Sequence, residues 1–194
     1  MDITYESFVN EICMEFTSVE SESIDFVKAI NSDLNKWKYA VLIDGKIITK
    51  SKDADWSKYK TIPIKDIEKY HVGVCWDFVN YQHDIFKKNK IKDESYLFVM
   101  QQSDDSNDII THTFSIINMN SAKYWFESSL RKHQGIHKIS SYKDVTKILV
   151  NDYKTKNSVS YEVYRYNPDG LDNRLSNGEF FKRATKNLVY SNTL

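Results

Sequence analysis

The segment Gly73-Val74-Cys75-Trp76-Asp77-Phe78 puts a cysteine at the first turn of a helix, which the shared face of Cys75, Phe78, Val79, Gln82, Ile85 and Phe86 predicts over 75–88. Aligned peptide dipoles leave partial positive charge at such a helix start, which favours thiolate over thiol. With a cation nearby, a cysteine pKa can fall by several units from about 8.5. A nucleophile of this kind needs a base and a group to orient that base. Two runs of β-formers, 109–117 and 122–127, contain both. With Asn118-Met119-Asn120-Ser121 as a four-residue loop, Ile117 pairs with Ala122 and His112 stands directly opposite Glu127. Opposed residues on one face have Cβ atoms about 4.5–5.5 Å apart, close enough for a carboxylate to accept from an imidazole. Phe114 opposite Trp125 and Ile116 opposite Lys123 continue that face, and the aromatic pair shields it from water. A slip of one residue would turn Glu127 to the other side, so the pairing depends on the loop count. The bland alternative makes Cys75 a small buried hydrophobe, like Cys13 between Ile12 and Met14, and makes His112 and Glu127 a weak surface pair.

Taken in order, Gly73-Val74-Cys75-Trp76, then His112, then Glu127 resembles the transglutaminase-like branch of the papain-like cysteine enzymes. In that family a Gly-x-Cys-Trp turn opens the central helix, and the histidine and an Asp or Asn lie on adjacent antiparallel strands. The resemblance covers about residues 70 to 150. It implies Cys75 as nucleophile, His112 as general base and acid, and Glu127 in place of the usual Asp, a side chain one methylene longer. The glutamine that papain-type enzymes carry six residues before the cysteine is Lys69 here. Some relatives use an indole from upstream for the oxyanion, a role open to Trp37 or Trp56; the backbone N–H of Cys75 is the safer donor. The implied chemistry is attack on a peptide or side-chain amide to give a thioester, then transfer to water or to an amine. A binding module on the same fold, sequestering a protein or small molecule without turnover, is the alternative.

The elements that must hold these residues can be read from periodicity. Residues 3–16 and 23–36 have helical spacing; 37–43 and 46–50 flank Asp44-Gly45 as a hairpin; 51–70 is a loop or short helix. After the central helix comes a meander of 96–101, 109–117 and 122–127, its first turn the acidic run Ser103 to Asp108. Helical spacing returns over 142–153, followed by a strand over 159–166, the turn Asn167-Pro168-Asp169-Gly170, and a last helix opened by the capping box Ser176-Asn177-Gly178-Glu179 and running to about 187. The expected fold is α+β, with the cysteine-bearing helix on a mainly antiparallel sheet. Residues 1–194 read as a single domain, with 1–36 a helical arm packed on it or covering the cleft.

Composition removes other classes. Lys+Arg 27 balances Asp+Glu 27, so there is no global field to recruit nucleic acid or a membrane surface. The basic stretches 46–60 and 86–92 are interleaved with acids and read as solvated faces. Two cysteines are too few for a disulfide scaffold, and the N-terminus lacks a secretory pattern, so a reducing cytoplasmic setting is expected. No cofactor and no metal are expected. His133 and His137 have an H-x3-H spacing but Gly135 lies between them and no third ligand is evident, and Asp104, Asp105 and Asp108 lack the spacing of a calcium loop. His71 has no acid partner as a rival base, and His83 is expected on the far, solvated side of the central helix. The expected partner is a peptide or protein substrate, and the oligomeric state is open.

Overall fold

The computed structural model describes residues 24–102, 109–155, 159–171 and 174–193. The helix expected over 3–16, Cys13 and the acidic turn lie outside them. Residues 24–34 form helix α1. A short strand β1 (Lys38–Tyr39) leads into the hairpin β2 (Val41–Ile43) and β3 (Lys46–Ile48). Its two-residue loop has positive φ at both Asp44 (50°) and Gly45 (74°), the geometry this dipeptide is chosen for. Residues 51–70 hold a 3-10 turn and helix α2 (Ile64–Tyr70), and β4 (Val72–Gly73) runs straight into α3 (Cys75–Lys88).

The chain then builds one six-stranded sheet, order β10-β9-β5-β6-β7-β8, with every neighbouring pair antiparallel. Its strands are β5 (Lys92–Gln101), β6 (Ile109–Met119), β7 (Ala122–Glu127), β8 (Gly135–Ile139), β9 (Ser160–Tyr166) and β10 (Leu188–Thr193). Strands β8 and β10 are additions to the sequence reading. Helix α4 (Tyr142–Tyr153) starts at a capping box of Ser141 and Asp144, and α5 (Asn177–Ala184) at one of Ser176 and Glu179. This is an α+β fold with a mainly antiparallel sheet.

Alternation along the strands splits the sheet into two faces. Tyr96, Phe98, Met100, Phe114, Ile116, Trp125 and Val163 form a core with Val145 and Leu149 of α4. On the other face Ile117, Met119 and Phe126 pack with Phe86 of α3 and with Val27 and Leu34 of α1, while Leu97 joins Cys75, Trp76 and Val79. Helix α1 is fastened to the sheet as well as packed on it: Asn31 Nδ2 donates to the Glu127 carbonyl at 3.0 Å and to that of Gly135 at 3.4 Å.

One register differs from expectation. The β6–β7 loop is Asn120-Ser121 alone, so Met119 pairs with Ala122 and Ile116, not Phe114, pairs with Trp125. Both loop residues take positive φ (52° and 58°), which closes the hairpin two residues later than a four-residue loop would. His112 is therefore not directly opposite Glu127. The displacement is an even number of residues, so both side chains keep the expected face. Phe114 stacks on Tyr96 instead, centroids 5.3 Å apart.

Candidate active site

The start of α3 is fixed by a buried polar knot. Asp77, at the third helical position, reaches back to accept from the N-cap amide of Val74 at 3.0 Å; Val74 has no side-chain acceptor to return the bond. Asp77 also accepts from the Ile62 amide at 2.9 Å and from the Tyr59 hydroxyl, and Trp76 Nε1–H donates to Tyr59 Oη at 2.8 Å. Burial pushes the Asp77 carboxyl up to about 7, against the pull of its three donors. Gly73 has no alternative here: a Cβ would stand 2.9 Å from the Cβ of Asp77. Gly73, Trp76 and Asp77 thus hold the turn that presents Cys75, which is only 4% exposed.

The second wall is the end of β6. The last β6–β7 rung is Ser115↔Phe126; Glu127 beyond it pairs only with Gly135 of β8, while β6 continues against β5 as far as Gln101↔Ile109. His112 and Thr113 lie in that unpaired stretch and point to opposite faces, yet both sit close enough to Cys75 to favour its ionised form. The first turn of α3 therefore meets β6 at the gap that β7 vacates.

Glu127 closes the chain. Its Oε2 lies 2.8 Å from His112 Nε2, so Nδ1 is the nitrogen left for Cys75. Because the register sets the two diagonally, where Cβ atoms are about 7–8 Å apart, the contact needs a long side chain. Glu127 Oε1 accepts from Ser129 N (2.7 Å), Ser129 Oγ (2.9 Å) and Leu130 N (2.8 Å). Gln82, a polar residue on the otherwise apolar face of α3, ties the walls together: it donates to Ser128 Oγ and accepts from Ser115 Oγ, each at 2.7 Å.

The charges follow from this geometry. Burial pushes the Cys75 thiol up, and the hydrogen bond and charge of His112 with the Thr113 donors overcome it, leaving it below its ordinary value. Burial pushes His112 down, but the Glu127 carboxylate and the Cys75 sulfur raise it to about 10. Burial opposes ionisation of Glu127 too, and His112, Leu130 and Ser129 more than offset it, so its pKa is lowered. The arrangement is a buried Cys75–His112–Glu127 row in which the His112 charge draws both the thiol and the carboxyl toward their ionised forms.

The three residues singled out from sequence thus converge. Sequence reading missed Thr113, the Ser129-Leu130 cradle and four tyrosines whose phenols feel Cys75: Tyr39, Tyr59, Tyr153 and Tyr166. Of these, nothing in the local sequence pattern marked any but Thr113, which a neighbour of a strand histidine always accompanies on the opposite face. The rival residues lie elsewhere. His71 caps α2 in the left-handed region (φ 51°) and stacks on Trp37, centroids 4.8 Å apart. Trp37 also packs on Phe78 and Tyr81, and Trp56 packs on Tyr59 and Trp76. His83 is not solvated as expected: Nδ1 lies 2.8 Å from Asp93 and Nε2 3.3 Å from Asp169, because β5 and the 167–170 turn fold over that side of α3. His133 and His137 flank Trp125 instead of sharing a helix face, and no group of three metal-ligating side chains occurs among the described residues.

Comparison with known proteins adds nothing to this geometry: no family model, no curated protein and no solved structure matches the chain. No helix among the described residues is long and apolar enough to cross a membrane.

Proposed function

We propose that this chain is a cysteine-dependent acyl-transfer enzyme with a transglutaminase-like, papain-like arrangement, acting on a peptide or side-chain amide. The observation that carries the reading is the buried row Cys75–His112–Glu127, with Glu127 at 2.8 Å from His112 and every one of its oxygens engaged. A carboxylate so fully satisfied, holding an imidazolium against a helix-start thiolate, is the nucleophile, base and orienter constellation of acyl transfer. Cys75 Sγ attacks the amide carbon, and the backbone N–H of Cys75 faces the developing oxyanion. The C–N bond then breaks as His112 gives its proton to the leaving nitrogen, forming a thioester and leaving a neutral imidazole. Water or an amine attacks the thioester, His112 takes the proton back, and the thiolate returns.

The binding-module reading draws support from the closure of the site, since Cys75 and His112 are each only 4% exposed. The two readings separate on the rate of iodoacetamide alkylation at Cys75 against pH. The enzyme reading expects labelling that persists down to about pH 5, together with an acyl-enzyme on Cys75 after treatment with an activated peptide ester, absent in Cys75→Ser. A midpoint near 8.5 and no acyl-enzyme would overturn it.

A further inference from the structure

The helix that begins at Cys75 carries a second, polar face. Asn80, His83, Asp84 and Lys87 form a stripe turned about 120° from the one that sets Cys75, Val79, Gln82 and Phe86 against the sheet. This stripe is one wall of a cavity of about 270 Å³, and Ile64 of α2 with Pro168 and Asp169 of the 167–170 turn supplies others. The turn is clasped to the helix there, since Asp169 holds Lys87 at 2.8 Å and His83 at 3.3 Å. Lys88, also at the cavity, meets Asp84 at 2.6 Å, and His83 meets Asp93 at 2.8 Å. Asn80 differs from all of these. It is 3% exposed, and neither its Nδ2 nor its Oδ1 has a hydrogen-bond partner among the described residues.

We propose that this cavity is a binding site for a small neutral primary carboxamide, with Asn80 as the residue that recognises it. Every charged group lining the cavity already has an opposite charge beside it, so an ionic ligand would find no free counter-charge there. What remains unmet is a single amide with a donor and an acceptor side by side. A second carboxamide satisfies both at once: its oxygen accepts from Asn80 Nδ2–H, and its own N–H donates to Asn80 Oδ1. A nucleobase edge offers a similar pair, but no aromatic ring is among the described residues lining the cavity, so a base would have nothing to stack on. Ile64 and Pro168 instead suit a short alkyl stem. Burying an amide unpaired costs the desolvation of both its groups, and leucine would fill nearly the same volume without that cost. Asn80 thus weakens the fold until a ligand meets it, which is the mark of a residue kept for binding.

The test uses the full chain carrying Cys75→Ser, so that no turnover of an amide contributes and the result is independent of the acyl-transfer reading. In saturation-transfer NMR, propionamide should give a saturable signal at least tenfold stronger than 2-butanone, which keeps the carbonyl but lacks the NH2. N-acetyl-asparagine methylamide, read against its leucine analogue, asks whether the carboxamide can belong to a peptide side chain. Whichever of the two amides binds names the source, and binding of neither overturns the proposal. Adding Asn80→Leu should abolish the signal and raise the thermal midpoint by about 2–4 °C, because an unpaired amide is removed from the interior. Equal signals from propionamide and 2-butanone, or a signal that survives Asn80→Leu, overturn the assignment of Asn80. A lowered midpoint in Asn80→Leu does so as well, since it would make the amide a structural group satisfied by internal water alone.

Discussion

His112 and His83 each meet a carboxylate at 2.8 Å, and that distance does not separate them. Their second nitrogens do. His112 turns Nδ1 to the sulfur of Cys75, whereas His83 turns Nε2 to a second acid, Asp169, which also holds Lys87 at 2.8 Å. His83 is therefore clamped between two acids that favour its charged form, tying α3 to β5 and to the 167–170 turn. His112 stands between a nucleophile and its counterion. Burial sharpens the contrast: the side chains are 5% and 2% exposed at His112–Glu127, against 17% and 6% at His83–Asp93. A third pair, His133–Asp152 at 2.5 Å, shares its carboxylate with Lys132. A histidine–carboxylate pair is a common joint, and the group on the far nitrogen decides whether it does chemistry.

The largest effect should come from removing each histidine in turn. His112→Ala takes away the cation that holds the thiolate, so at pH 6, where a thiol of ordinary pKa is about 0.3% ionised, alkylation of Cys75 should fall by about two orders of magnitude. His83→Ala should leave the pH profile of alkylation where it is. If both variants move it equally, the distinction between the two pairs fails.

Next in size is the carboxylate. Glu127→Ala leaves a buried imidazolium without a counterion, which costs about 3–5 kcal/mol when a buried pair is broken from one side. Asp93→Ala, at a more hydrated pair, should cost about 1 kcal/mol. Urea unfolding of both variants measures the difference directly. Glu127→Asp is the sharper probe, because a side chain shortened by one methylene cannot both span the diagonal to His112 and keep the Ser129-Leu130 cradle. It should lose most of the acid-side reactivity of Cys75, while Asp93→Glu changes little. Equal reactivity in Glu127→Asp and wild type would show that the diagonal reach is not what selects glutamate.

The pH dependence of stability follows the same division. Glu127 has a lowered folded pKa, so its contribution is present above its unfolded value and is lost as pH falls through the folded one. His112 is raised to about 10, so its contribution is complete below its unfolded value near 6.5 and is lost as pH rises through about 10. His83 is raised chiefly by its hydrogen bond to Asp93, and its contribution is lost in the same direction, through its own folded value. Imidazole proton resonances should show His112 charged to about pH 10 and His83, with one edge in water, discharging first. The reverse order would remove the electrostatic basis for separating the pairs.

How much of this was legible in sequence depends on the range of the interaction. The start of α3 was readable because it is local: the Gly73-Val74-Cys75-Trp76 turn and a 3.6-residue stripe lie within fifteen residues, whereas the capping role of Asp77 came from the structure. The convergence of His112 and Glu127 was readable because side-chain alternation has period two and survives any even error in the loop count. The diagonal offset, and with it the reason for glutamate, was not, since two-residue and four-residue loops both suit Asn118 to Ser121 until φ is known. Gln82 was visible as a polar residue on an apolar stripe, but its partners Ser115 and Ser128 come from 33 and 46 residues away. Strand β8 was hidden by its opening Gly135 and by the spacing of His133 and His137, and β10 by its position directly after a capped helix. Tyr39 is brought beside Gly73, two residues before Cys75, by a parallel pairing of two short strands, which no periodicity announces.

The smallest predicted effect concerns the hairpin that sets the offset. Among the described residues two turns place consecutive residues at positive φ: Asp44-Gly45, with φ 50° and 74°, and Asn120-Ser121, with φ 52° and 58°. In the first the second position is glycine, which adopts that region freely, whereas Ser121 pays the steric cost of a Cβ there. Asn120 tolerates the left-handed region better than most residues, so Ser121 is the strained member. Ser121→Gly should therefore stabilise the fold by about 0.5–1 kcal/mol, the relief of strain set against the added freedom of the unfolded chain. The rate and pH profile of Cys75 alkylation should not change, because the register, and hence the diagonal from His112 to Glu127, is already that of the relaxed turn. A changed profile in Ser121→Gly would mean that the turn holds the pair under strain, and that the difference between His112 and His83 is mechanical as well as electrostatic.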